Sequence, residues 1–169
     1  MHQNDGQQEF LTLVEQHKGI LVKICSLYAR LPEEREDLFQ EIIIQLWKAW
    51  PSFKGLSKFS TWMYRIALNT SISGLRKKKA NLVYMDHLQL PEAAHEEDRN
   101  RKEQQNSLYR AIRQLPEIDR AVVMLYLEDH SYEDMEEILG ISQGTLRVKM
   151  VRVKEKLKRT IQTIEYGAR

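Results

Sequence analysis

The chain has 169 residues, with 26 Lys and Arg against 24 Asp and Glu for a formal net charge of +2, and it holds 7 glycines, 4 prolines and 1 cysteine. Glycine and proline at about half their average usage favour helices over turn-rich sheet, and the length allows one domain or two small helical units but not the usual multidomain enzyme. Cys25 has no partner for an intramolecular disulfide, the first residues lack the basic start and apolar run of a secretion signal, and the longest apolar run, Ala121 to Leu127, is far short of a membrane span. The expectation is a cytoplasmic chain with no membrane insertion.

Apolar residues at helical spacing (Phe10, Leu13, Val14, Ile20, Leu21, Ile24 and Leu27) predict a first helix from Glu9 to Arg30, ended by Leu31-Pro32. A second runs from Glu33 to Trp50 and stops at Pro51, because proline disfavours α geometry in the residue before it. A third is expected from Ser57 to about Lys79. From Ala80 to Asn106 the periodicity gives way to polar and charged residues with too little apolar surface to offset ordering, so 81–106 reads as a linker. Ser107 to Leu115 and Glu117 to Glu128 then form two helices separated by Pro116, followed by Tyr132 to Leu139 and Gln143 to about Ile164. The fold expected is all-α: a three-helix domain over 1–80 and a four-helix domain over 107–169, joined by a flexible linker.

Charge is segregated along these elements. Five acids from Glu33 to Glu41 face one base, Arg35, whereas Lys54 to Lys79 holds seven bases and no acid; the order repeats as eight acids from Glu117 to Glu137, then seven bases from Gly140 to Arg159. Two dense basic blocks are the footprint expected of a polyanion touched at two places.

The last two helices carry the most specific pattern. Ser131 with Asp134 fits a capping box, Gly140 suits a left-handed turn, and Ser142 can cap the helix that follows, which together read as a helix-turn-helix. On the final helix Leu146, Met150, Val153, Leu157, Ile161 and Ile164 share a core stripe. The other side presents Thr145, Val148, Lys149, Arg152, Lys156 and Arg159, a face suited to the major groove: bases reach phosphates or guanine edges and Val148 can pack on a thymine methyl. Around the third helix, Phe53, Phe59 and Trp62 alternate with Lys54, Lys58 and hydroxyls about Gly55. Trp62, Arg65, Asn69, Ser73 and Arg76 then share one sector while Phe59, Met63, Ile66 and Ala67 point toward a core, and aromatics in such a block can stack on unpaired bases while lysines hold the backbone.

Glu36-Asp37-Leu38-Phe39-Gln40-Glu41 running to Leu46-Trp47-Lys48-Ala49-Trp50, then Phe59-Ser60-Thr61-Trp62-Met63-Tyr64-Arg65-Ile66-Ala67-Leu68-Asn69, resembles region 2 of a bacterial sigma factor. Ser131-Tyr132-Glu133-Asp134 through Leu139-Gly140-Ile141-Ser142-Gln143-Gly144-Thr145-Leu146 resembles region 4, and two such regions in this order resemble the extracytoplasmic-function (ECF) class. The resemblance implies a factor that directs core RNA polymerase to promoters. It implies docking of Asp37, Gln40, Glu41 and Trp47 on the clamp helices of the β′ subunit, with a further contact to the β flap. The opened −10 element would be held by Lys54, Lys58, Phe59, Ser60, Trp62, Arg65, Asn69, Ser73 and Arg76, with a flipped base near Phe59 and Asn69. The −35 element would be read by Ser142, Gly144, Thr145, Arg147, Val148, Lys149 and Arg152. An anti-sigma factor is a further implied partner.

The chain departs from the family pattern at Ser73-Gly74, where an Asp is frequent, and at Glu136, which replaces the alanine usual in the helix-turn-helix; Glu136 is expected to lean outward or pair with a base such as Lys149. The histidines are scattered without metal-ligand spacing, and no phosphate loop, nucleophile elbow or paired catalytic carboxylates can be found, so neither a metal, nor a cofactor, nor catalysis is expected. Two other readings fit the residues less fully: a helix-turn-helix regulator with an N-terminal sensing or dimerisation domain, and a helical adaptor that joins protein partners. Binding to core polymerase separates the first from a sigma factor, and binding to DNA excludes the second.

Overall fold

A computed structural model describes residues 2–84 and 103–167, all seven of whose long elements are α-helices, with no strand among the described residues. α1 spans His2–Tyr28, α2 Pro32–Ala49, α3 Phe59–Tyr84, α4 Glu103–Arg113, α5 Glu117–Leu127, α6 Tyr132–Leu139 and α7 Gln143–Gly167. α1 begins earlier than its apolar periodicity predicts: no proline precedes Glu9, and the helix passes through Gly6, where an added Cβ would lie 3.9 Å from the Trp50 indole nitrogen. Pro32 stands at the first position of α2, where its missing N–H costs nothing, and Glu34 accepts from the Arg30 and Leu31 amides at 3.1 and 3.3 Å. A single 3₁₀ turn, Trp50–Ser52, then carries the chain over Pro51.

The linker expected over 81–106 is shorter at both ends. Residues 81–84 continue α3 and 103–106 begin α4; the remainder lies outside the described residues. Neither edge carries a proline or glycine that would stop a helix, so the loss of apolar periodicity does not mark the end of the helix.

α1, α2 and α3 pack as one bundle around Leu21, Ile24, Ile42, Leu46, Met63, Ala67 and Leu68, each essentially without solvent exposure. Beside this aliphatic core lies an aromatic cluster: Phe10 is edge-on to Trp47, Trp50 stacks on Phe53, and Phe59 contacts Trp50, Phe53, Trp62 and His17 with ring centroids 5.2–6.2 Å apart. Such pairs contribute about 0.5–1.5 kcal/mol each beyond burial and fix the route of the 53–58 loop. α4 to α7 enclose a second core, with Ile112, Leu115, Val122, Leu125, Met135 and Leu146 fully buried.

The two bundles are packed against each other. Arg113 donates from Nε and Nη2 to the Ser26 carbonyl at 3.1 and 2.7 Å, and Arg120 donates from Nη1 to the Leu27 carbonyl at 3.3 Å while its guanidinium lies 5.7 Å from the centre of the Tyr28 ring. These are the orphan carbonyls of the last turn of α1, where a cation also meets the negative end of the helix dipole. Tyr28 returns a bond from its hydroxyl to the Glu117 carbonyl at 2.6 Å. Around this centre, Lys23 pairs with Glu128 at 2.7 Å, Lys79 pairs with Glu117, and Tyr64 donates to Glu128 and meets the edge of His130. Burial draws the Arg113 and Arg120 guanidinium groups below their ordinary pKa, although guanidinium remains charged in any protein.

Candidate nucleic-acid and protein interfaces

Three exposed surfaces carry the residues singled out from the sequence. The first is the outer face of α2. Ile42 and Leu46 are fully buried against α1 and α3, so residues 37, 40 and 41, on the opposite side, stand in solvent with Asp37, Gln40 and Glu41 exposed. Glu41 accepts from Gln45 Nε2 at 2.7 Å, and Trp47, 44% exposed, rests edge-on upon Phe10 at 5.0 Å. An acidic patch ending in a supported indole is suited to a basic, partly apolar protein partner.

The second surface is the 53–58 loop with α3. Gly55 takes φ +67°, a conformation that disfavours any side chain, and places Lys54, Leu56 and Lys58 at the tip. Arg65, Asn69, Ser73 and Arg76 form an exposed row along α3, with Ser60 and Trp62 half-buried at its start. Phe59 lies where its helical sector places it, toward the core with Met63 and Ala67: it is 8% exposed, inside the aromatic cluster, and supports the loop from beneath. Leu56, to which the sequence assigned no role, is 92% exposed at the loop tip between two lysines.

The third surface is the helix-turn-helix of α6 and α7. Ser131 Oγ accepts from the Asp134 amide at 3.0 Å while the Asp134 carboxylate accepts from the Ser131 amide and hydroxyl at 3.3 and 2.8 Å, the reciprocal box read from the sequence. Its bond to Ser131 holds the Asp134 carboxyl below the ordinary carboxylate pKa. Gly140 ends α6 in the left-handed conformation at φ +68°, and Ser142 Oγ accepts from the Thr145 amide at 3.4 Å to begin α7. Leu146, Met150, Val153 and Leu157 face the core, leaving Gly144, Thr145, Arg147, Val148 and Arg152 exposed.

On α7 Lys149 is placed otherwise than expected, and of the two expectations for Glu136 on α6, to lean outward or to pair with Lys149, the pairing is not made. Lys149 is half-buried and gives its ammonium to Asp119 of α5 at 2.8 Å, tying the recognition helix to the first turn of α5. Glu136 therefore does not pair with Lys149; it accepts from Gln143 Nε2 at 3.1 Å. Arg147 in turn lies 4.8 Å above the Tyr132 ring and 3.5 Å from Gln143 Oε1. Lys154, farther along α7, sits 4.3 Å from the centre of the Tyr126 ring. No group of three or more His, Cys, Asp or Glu side chains able to hold a metal occurs among the described residues, and no helix there is long and apolar enough to cross a membrane.

Residues 13–81 match the family model of sigma-70 region 2 and residues 105–157 that of sigma-70 region 4. Among curated proteins, the ECF RNA polymerase sigma factor SigW of Bacillus subtilis is 29% identical, with 94% of this chain and 91% of the relative covered, and the RNA polymerase sigma-H factor of Pseudomonas aeruginosa is 29% identical over 92% and 86%. Of solved structures, the sigma factor RpoE of Bartonella quintana in complex with the anti-sigma factor NepR superposes with a TM-score of 0.72 at 22% identity, covering 94% of this chain and 97% of that one. CnrH in complex with the cytosolic domain of CnrY superposes with a TM-score of 0.65 at 19% identity, covering 93% and 90%. Together the two matched regions cover well over half of the chain and mark it as one of the sigma-70 class of promoter-recognition factors. The chain belongs to that family, and within it to the ECF sigma factors, carrying regions 2 and 4.

Proposed function

We propose that this chain is the dissociable subunit that brings core RNA polymerase to promoters, a binding protein without chemistry of its own that works in the cytoplasm. The observation that carries the reading is the presence of both sigma regions on one chain, in order, over residues 13–81 and 105–157. In this reading residues 1–80 serve as the polymerase-docking and −10 domain and 107–169 as the −35 domain. Asp37, Gln40, Glu41 and Trp47 dock on the β′ clamp helices, and the C-terminal domain meets the β flap. Lys54, Lys58, Ser60, Trp62, Arg65, Asn69, Ser73 and Arg76 hold the opened −10 strand, with Phe59 supporting them from beneath. Ser142, Gly144, Thr145, Arg147, Val148 and Arg152 face the −35 element, and Lys149 keeps the helix that bears them in place. The similar sigma factor RpoE, solved with the anti-sigma factor NepR, supports an anti-sigma factor as a partner here also.

The docking face supplies the decisive test. Asp37 and Gln40 are exposed, so replacing them leaves the core untouched, and exposed substitutions usually shift stability by no more than about 0.5 kcal/mol. A charge at the centre of an interface contributes about 2 kcal/mol or more to binding. Asp37→Ala combined with Gln40→Ala is expected to keep the helical content and thermal melting of the parent yet lose co-purification with core polymerase and promoter-directed run-off transcription. Undiminished formation of the polymerase complex by the double variant would place the docking surface elsewhere.

A further inference from the structure

A contact chain across the helix-turn-helix bears on base reading. Tyr132 and Glu136 lie one turn apart on α6, Gln143 and Arg147 lie one turn apart on α7, and the two pairs meet across the turn. Gln143 donates from Nε2 to Glu136 Oε2 at 3.1 Å. A carboxylate only accepts, so the amide must turn its NH₂ toward Glu136 and its Oε1 the other way. Arg147 Nη2 approaches that oxygen at 3.5 Å, its guanidinium held 4.8 Å from the centroid of the Tyr132 ring. A glutamine or arginine free on a helix surface loses much of its rotamer freedom on binding; these two are already confined.

The position of the pair matters as much as its order. Gln143 is the first residue of α7 and Arg147 follows one turn later, in the N-terminal part of a recognition helix, which is the part that reaches base edges in a helix-turn-helix. Glutamine matches the adenine edge, donating to N7 and accepting from N6, and the second hydrogen of the Gln143 amide remains free for N7 while the first is held by Glu136. Arginine matches guanine O6 and N7.

We infer that Glu136 and Tyr132 are positioning residues for sequence recognition: they hold Gln143 as a reader of adenine and Arg147 as a reader of guanine, so that base choice in the −35 element depends on α6 although its side chains do not enter the groove. The inference rests on the reading of α7 as the −35 recognition helix and adds Gln143, Glu136 and Tyr132 to its working parts. Glu136, at a position where the family usually has alanine, thereby acquires a reason to be there.

The test uses holoenzyme reconstituted from the full chain and core RNA polymerase, and a pool of duplex promoters randomised across the −35 element, with the bound fraction sequenced. Gln143→Ala is expected to lose about tenfold preference for adenine at one base pair, and Arg147→Ala about tenfold preference for guanine at another. Glu136→Ala and Glu136→Gln should reproduce the first loss and Tyr132→Leu the second. Tyr132→Phe, which keeps the ring, should retain the parental profile. Thermal melting and polymerase binding like the parent's would show that the variants are folded. Parental profiles for Glu136→Ala and Tyr132→Leu, alongside altered ones for Gln143→Ala and Arg147→Ala, would overturn the positioning role. Parental profiles for Gln143→Ala and Arg147→Ala would overturn the two readers while leaving α7 as the recognition helix. A parent holoenzyme that binds promoters but selects no sequence at all in the randomised stretch would overturn the −35 reading itself.

Discussion

At the scale of single residues, the face of α7 divides between bases that are committed and bases that are free. Lys149 was legible as one of a row of bases on the polar side of a helix; its partner Asp119, 30 residues away and on another helix, was not. The ion pair is half-exposed, so it contributes on the order of 0.5–1 kcal/mol, and it holds its ammonium away from the exposed face. Arg152 is exposed on that face and appears in none of the ion pairs described above. Lys149→Ala is therefore expected to lower the stability of the C-terminal bundle by up to about 1 kcal/mol and leave the salt dependence of DNA binding by holoenzyme unchanged. Arg152→Ala should leave stability unchanged and, if a phosphate contact is removed, reduce the slope of log affinity against log salt by about 1. Equal slopes for parent and Arg152→Ala would remove Arg152 from the phosphate contacts. For Phe59 the sequence goes further: its helical sector already points it toward the core, and what the sequence does not show is which rings, those of Trp50, Phe53 and Trp62, receive it there.

At the scale of helices, boundaries were readable wherever a side chain or glycine makes them. α6 begins and ends where its sequence predicts because Ser131, Asp134 and Gly140 each satisfy a named backbone group or turn. α1 and α3 run longer than predicted because polar residues, and even Gly6, are carried within a helix at a cost of no more than about 1 kcal/mol each, whereas a proline would stop it. The Ser131 cap is the more consequential because α6 has only 8 residues and its first turn is a large share of it. Ser131→Ala is expected to lower the melting stability by about 1 kcal/mol at neutral pH. Asp134 is held below its ordinary carboxylate pKa by that serine, so the bond's contribution is complete above the ordinary value of 3.8 and is lost as pH falls through the lowered one. The difference between parent and variant, measured by chemical denaturation across the acid range, should shrink in that window; a constant difference would assign the loss to something other than the box.

At the scale of the molecule, the packing of the two bundles sets the problem that promoter binding must solve. A compact chain of this length has a radius of gyration of about 15 Å and measures about 40 Å across. Elements centred near −35 and −10 are separated by about 85 Å of duplex at about 3.4 Å per base pair, so the closed molecule cannot occupy both. The guanidinium bonds to the end of α1 are charge-assisted and contribute about 1.5–3 kcal/mol each. Arg113→Ala combined with Arg120→Ala should raise the radius of gyration seen by small-angle X-ray scattering while keeping helical content; an unchanged radius would mean that apolar contacts alone hold the bundles together. Acid should act in the same direction. Lys79 holds the Glu117 carboxyl below its ordinary 4.5, so that contact is intact above this value and is lost as pH falls through the lowered one. Lys23, raised above its ordinary 10.5 by its bond to Glu128, loses its contribution only as pH rises through the raised value, which leaves a broad neutral range of closure. None of this was legible in the sequence, because the acceptors of Arg113 and Arg120 are main-chain carbonyls 87 and 93 residues earlier, and a carbonyl leaves no signature in composition or charge.

That choice of acceptor makes the closure lopsided under mutation. Every amino acid supplies the same carbonyl, so substitutions at the half-exposed Ser26 that keep α1 wound leave the docking place for Arg113 unchanged, whereas Leu27 is held by the burial of its own side chain. On the other side a single codon change at 113 or 120 removes a donor outright. Variants selected in a population for easier opening should therefore include changes at 113 and 120, and Ser26 should remain free to vary while Tyr28, which supplies its ring to Arg120 and its hydroxyl to Glu117, should not.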